Sequence, residues 1–468
     1  MRKRFLLWPA VGPNSTDAAS SASFARVPRV SGRIPSLDGL RALSIILVLL
    51  AHLIGTRHFA VVPELGRWQL GNLGVRVFFV ISGFLITTLL LEESDRIGTV
   101  SLGQFYLRRC FRIFPVFYVF CAVLLVLQSA QIITLRPGDL IATLTYTMNY
   151  HHDRSWYVGH IWSLSVEEQF YLFWPTILLF AGVRGGLRVA MLVVLAAPSL
   201  RLAMGIFPSL RPGIGETFPT VADALAAGCV LAGLRPRLAS SPRWNRFFDS
   251  PLFWLAPIAV VACARNPSAK LDWLVGQTVM NLGIVLIIEK TIRMPNDRLG
   301  RILNTRPLVF IGTLSYSLYL WQQVFLHRQG SSVLQSFPWN LILVGLAAIA
   351  SYYLVERPLL RLRVYLERRY RRTTRVTKIA PPSQIPQAEV NEWAGAGTPL
   401  AFTLHNVEQA EPPKPTLALG SVVRATGQQD KPDLGNKEPA AMSRRRDQQP
   451  VKVFEQAAVA EKPVGDTL

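Results

Sequence analysis

Apolar runs dominate the chain between residues 37 and 360, and many are 16 to 25 residues long. A helix of that length crosses a hydrocarbon core about 30 Å thick. Cutting the runs at Gly, Pro and charged positions predicts ten helices, near 38–57, 72–91, 113–130, 164–182, 187–205, 218–234, 250–265, 272–292, 307–327 and 334–356. Of these, 250–265 is short and 187–205 contains Pro198 and Arg201. A further patch, Leu140 to Met148, is too short to span and reads as re-entrant or interfacial. The last hundred or so residues hold no comparable run and are rich in Pro, Gln, Ala and charge. The expected fold is therefore all-α, a polytopic membrane protein of about ten transmembrane helices. Residues 1–35 form a basic cytosolic N-terminal arm and 36–360 the membrane domain. Residues 361–468 form a basic juxtamembrane segment and a disordered cytosolic C-terminal tail.

Charge adds an orientation. The formal net charge is +21, and the basic residues fall unevenly between loops. Those after the second, fourth, sixth and eighth predicted helices hold Arg96, Arg108, Arg109 and Arg112; Arg184; Arg235, Arg237, Arg243 and Arg246; and Arg293, Arg298, Arg301 and Arg306. The alternate loops hold one or two, such as Arg57 and Arg67. The positive-inside rule then puts both termini in the cytosol, and the expected location is the inner (plasma) membrane. The start, MRKRFLLWPAV, mimics a secretory signal, but Pro9 breaks its short apolar core and the segment reads as a cytosolic arm. Arg357 to Lys378 reads as a basic helix resting on anionic lipid. The basic pI does not indicate nucleic acid, because no basic module interleaved with aromatic residues accompanies it. Cys110, Cys121, Cys229 and Cys263 lack metal-ligand spacing and read as reduced thiols. No metal site is expected.

Three stretches carry polar groups that a membrane span does not need. In SLDGLRALSIILVLLAHL, Ser36 to Leu53, Arg41 and His52 are eleven residues apart. At about 100° and 1.5 Å per residue they share one helix face, about 16 Å apart along the axis. Asp38 lies on the same face. Two readings are open, a packed histidine or an imidazole placed for proton transfer. In FYLRRCFRIFP, Phe105 to Pro115, Arg109 and Arg112 share a face and Arg108 adds charge. They are either positive-inside anchors or a bidentate phosphate clamp. In HIWSLSVEEQFYLFWP, His160 to Pro175, Ser165 and Glu168 have capping-box spacing. The adjacent Glu167 and Glu168 exceed what a cap uses, and His160 and Trp162 stand just ahead of them.

Together these stretches resemble the acyltransferase-3 family, integral membrane proteins that O-acylate sugars and other envelope molecules. The resemblance covers roughly residues 35 to 360. It runs through LDGLRALSIILVLLAHL, GNLGVRVFFVISGFLIT (Gly71 to Thr87), RRCFRIFP, HIWSLSVEEQFYLFWP, GTLSYSLYLWQ and YYLVERP, in that order. It implies an acyl-CoA donor, usually acetyl-CoA, on the cytosolic side, with no permanently bound cofactor, and an acceptor hydroxyl reached within or across the lipid bilayer. By the same resemblance His52 is the catalytic candidate with Arg41 its partner, while Arg109 and Arg112, with Arg108 beside them, face the CoA phosphates. Glu167 and Glu168 then serve the catalytic centre, and Asp38, His160, Trp162 and Ser165 the substrates. The expected partners are acyl-CoA and an envelope glycan or glycolipid, and not nucleic acid. One departure stands out: many relatives have His after the LYLW segment, where this chain has Gln322. The competing readings are a transporter or flippase, and a non-catalytic membrane scaffold or sensor.

Overall fold

A computed structural model of the chain describes residues 34–376, apart from 61–62, 266–267 and 331. The N-terminal arm, the tail beyond residue 376 and the end of the basic segment lie outside the described residues. Among the described residues there are helices and turns but no strand, as expected. The main elements are α1 (Pro35–Leu53), α2 (Leu70–Ile97), α3 (Leu102–Ser129), α4 (Ile161–Ile206), α5 (Phe218–Ala239), α6 (Pro242–Asp249) and α7 (Leu255–Ala264). They continue as α8 (Gln277–Arg293), α9 (Arg306–Phe325), α10 (Trp339–Ser351) and α11 (Arg357–Val376).

Seven of the helical stretches are long and apolar enough to cross a membrane, or eight if the pair bent by 72° at Pro242–Asp249 and Pro251–Ala264 is one span. Ten is not reached by that measure, for identifiable reasons. The segments 164–182 and 187–205 are two helices that meet at Gly182, where the backbone is non-helical (φ 66, ψ 175), and the count of seven takes this 51-residue stretch as one. The bent pair contains the short segment 250–265. Helix α9 carries Ser315, Ser317, Gln322 and Gln323 and is not among the seven. The patch from Leu140 to Met148 is broken into a short helix, Asp139–Leu144, and a turn, Met148–Tyr150.

Two further expectations change. Helix α3 starts at Leu102 and runs through Pro115, so Arg108, Arg109 and Arg112 lie inside a helix and not in a loop. The capping box does not form: α4 begins at Ile161 with no side-chain cap, and Ser165, already a turn in, donates to the Ile161 carbonyl at 3.0 Å.

Glycines set the close crossings that hold the bundle. At Gly312 of α9 a Cβ would overlap the Asp38 carbonyl of α1, and at Gly83 of α2 one would overlap the Leu225 carbonyl of α5. Small residues let membrane helices approach until backbones touch. An ionic group ties α2 and α5 to α4 and α8. Arg201 of α4 donates to Asp223 Oδ2 of α5 at 2.9 Å, and Arg76 of α2 lies 3.7 Å from the other Asp223 oxygen. Arg76 also donates to Asn281 and Gln277 of α8. All three charged residues are buried. The Arg201 that interrupts 187–205 is therefore a paired core residue.

Candidate functional site

Helix α1 contributes to two neighbouring cavities. Near its C-terminal end, His52 lines one of about 660 Å³ together with Asn72, Trp156, His160, Trp162 and Gln323. Closer to its N-terminal end, Arg41 lines a smaller one of about 80 Å³ together with Ser82, Arg109, Arg112, Glu167 and Tyr171. Val75 and Tyr319 line both, so the cavities meet at that wall. Gly312 lets α9, which carries Tyr319, lie against the start of α1.

The histidine side is tightly restrained. His52 Nδ1 lies 2.9 Å from Gln322 Oε1, and the Trp156 ring stands nearly perpendicular to the imidazole at 5.5 Å. Across the cavity, His160 directs Nδ1 at Gln323 Oε1 (2.8 Å) and Nε2 at the Leu320 carbonyl (3.0 Å). His160 is thus a buried residue held by α9, while Trp162 is half-buried on the cavity wall. An amide oxygen can only accept, so a proton on His52 Nδ1 would satisfy this contact and leave the lone pair on Nε2, the form a general base needs.

The arginine side carries more cationic than anionic side chains. Three guanidinium groups, from Arg41, Arg109 and Arg112, line it against one carboxylate, Glu167. That carboxylate already accepts from Ser82 Oγ (2.7 Å) and the Tyr171 hydroxyl (3.3 Å). Arg109 stacks over the Tyr171 ring at 4.7 Å. Arg41 lies 3.8 Å from Asp38, which backs it from its own helix. Arg112 has no hydrogen bond or close ion pair among the described residues, and the buried Glu356 interacts with it only at longer range. A half-buried cation left in that state favours an anionic ligand.

Several expected residues separate from these two centres. Arg108 turns from its neighbours to pair with the buried Glu93 of α2 at 3.0 Å. Glu168 lines neither cavity, unlike Glu167, as adjacent positions about 100° apart on a helix require. Ser165 is fully buried and spends its hydroxyl on its own helix. Gln323, Trp156, Tyr171 and Tyr319 join the site unannounced. All four sit within the sequence motifs or beside them, but nothing in their spacing distinguishes them from packing residues.

Fold and site define a multi-pass helical membrane protein with a histidine cavity set against a cation-lined one. The chain belongs to the acyltransferase-3 family: the model of that family, described as an acyltransferase domain, matches residues 34–357 and so contains every residue of both cavities. The O-acetyltransferase OatA of Staphylococcus aureus, in strains NCTC 8325 / PS 47 and COL, is 29% identical over 367 residues. That alignment covers 70% of this chain and 57% of OatA, so the chain spans little more than half the length of these relatives. No solved structure matches the chain.

Proposed function

We propose that the protein is a membrane O-acyltransferase that moves an acyl group from cytosolic acyl-CoA to a hydroxyl of a cell-envelope sugar or glycolipid, with His52 as general base. The group is taken as acetyl because the curated relatives are named O-acetyltransferases. One observation carries the reading: a single helix presents Arg41 to a cavity with surplus positive charge and His52 to the cavity next door. The basic loops put the Arg41 end on the cytosolic side, where acyl-CoA is available. Arg109 and Arg112, with Arg41, hold the donor's phosphates through charge-assisted hydrogen bonds, while the pantetheine arm extends along α1 past Tyr319. His52 Nε2 takes the proton of the acceptor hydroxyl as its oxygen attacks the thioester carbonyl. The carbon–sulfur bond then breaks, and the thiolate of CoA leaves and takes up a proton.

The test is acyl transfer in proteoliposomes loaded with labelled acetyl-CoA and supplied with envelope glycan outside, with mass spectrometry of glycan from cells with and without the protein. Label should reach the glycan only when donor and protein are both present. Glycan or sugar flux that needs no acyl-CoA would support a transporter instead. Unaltered envelope mass in cells lacking the protein would overturn the reading.

A further inference from the structure

Two consecutive amides of α9 hold two imidazoles that belong to different parts of the chain. Gln322 Oε1 faces His52 Nδ1 at 2.9 Å, and Gln323 Oε1 faces His160 Nδ1 at 2.8 Å. Side chains one residue apart on a helix diverge by about 100°, so the end of α9 acts as a wedge between α1 and the start of α4. Trp156 closes the third side: its indole N–H donates to the Gln323 carbonyl at 3.0 Å while its ring edges His52.

Gln322 is fully buried, and its Nε2 has no hydrogen-bond partner among the described residues. An unpaired buried N–H costs about 1–3 kcal/mol. A leucine would fill the same space without that cost, so packing alone does not account for an amide at this position. What the amide supplies is a neutral acceptor at one imidazole nitrogen. We propose that Gln322 is a positioning residue that fixes the tautomer of His52, accepting the Nδ1 proton so that Nε2 stays free to act as base. The inference rests on the reading of His52 as general base.

Other charged and titratable groups surround the ring without bonding it. Arg328 donates to the Ala51 carbonyl beside it at 2.7 Å, and His327 edges the Trp156 ring at 5.8 Å. His152, Arg154, His160, Glu216 and Asp272 line the same cavity. These groups are common to the native protein and to the Gln322 variants, so a change confined to the variants reports the Nδ1 contact.

Two substitutions separate positioning from packing. Gln322→Leu keeps the approximate volume and removes the acceptor. Gln322→Glu keeps the acceptor, can only accept when ionised, and adds negative charge that favours the imidazolium. Both are measured in proteoliposomes at matched folded protein, as kcat against pH and as donor KM. Gln322→Leu should lower kcat about 10- to 100-fold with donor KM unchanged. Gln322→Glu should keep most of the maximal rate, and the rising limb of its pH profile should move to higher pH, because the base must shed its proton before it can act.

A Gln322→Leu protein with native kcat would overturn the proposal. So would a folded Gln322→Glu protein that either loses rate as the leucine variant does or keeps an unmoved pH profile. Retention of the rate by His52→Ala would instead remove the general-base reading itself. Loss of rate in His52→Ala with both Gln322 variants native would remove the tautomer role alone.

Discussion

Removing Arg109 and Arg112 together should weaken donor binding far more than it weakens the fold. Both guanidiniums line a cavity where a single carboxylate, Glu167, faces three arginines. Neither is committed to a carboxylate partner: Arg109 stacks on Tyr171, and Arg112 has no close ion pair among the described residues. A hydrogen bond to a charged group contributes about 1.5–3 kcal/mol. Removing two such bonds costs about 3–6 kcal/mol, or a donor affinity lower by about 10²- to 10⁴-fold, the lower end being favoured because neighbouring interactions do not add fully. The assay is isothermal titration of CoA into protein held in lipid nanodiscs, at two salt concentrations. The methionine double variant should bind more weakly and lose part of the salt dependence. Arg108→Met is the built-in control. Arg108 carries the same charge one residue away but pairs with Glu93. Its loss should leave CoA affinity within about threefold, well under the contribution of one charged hydrogen bond, and should lower thermal stability by stranding a buried carboxylate. Unchanged CoA affinity in the double variant, or a larger loss in Arg108→Met, would refute the assignment of the cavity to the donor.

Two predictions concern the frame that brings the cavities together. Gly312→Val should force α9 away from the Asp38 carbonyl. It should cost about 1–3 kcal/mol or more as overpacking, seen as a lower unfolding temperature in detergent, and should reduce transfer by parting His52 from Gln322; a native unfolding temperature would contradict the close crossing. Asp223→Asn leaves Arg201 and Arg76 without their shared carboxylate. It should cost about 3–5 kcal/mol in thermal unfolding, with part of the loss recovered when Arg201→Met is added, and equal instability of the single and double variants would contradict the pairing.

Much of the site was legible in sequence because helical periodicity is a strong constraint. The eleven-residue spacing of Arg41 and His52 is enough to put them on one face of α1, and the structure has each lining its own cavity on that helix. Arg109 and Arg112 at i, i+3 likewise share a cavity. Adjacency in sequence misled where side chains diverge: Arg108 and Glu168 lie beside true cavity residues and face elsewhere. The count of ten spans is not reached where apolar length is a poor guide, as in the polar α9, while the break at Gly182 does divide the two helices expected there. Gln323, Trp156 and Tyr319 were hidden for another reason. Their place depends on which helices cross, and the close approach of α9 to α1 uses Gly312, whose role is invisible until the partner backbone is known. Gln322 stood out only as a departure from relatives, and its hydrogen bond with His52 requires α1 and α9 side by side.

The central claim is that His52 handles the acceptor's proton. Its most direct test is His52→Ala, with acyl incorporation into envelope glycan measured at matched levels of membrane-inserted protein and matched CoA affinity. General-base catalysis is worth about 10²- to 10⁴-fold, so incorporation should fall by at least a hundredfold while CoA still binds. Incorporation at the native rate would contradict the account.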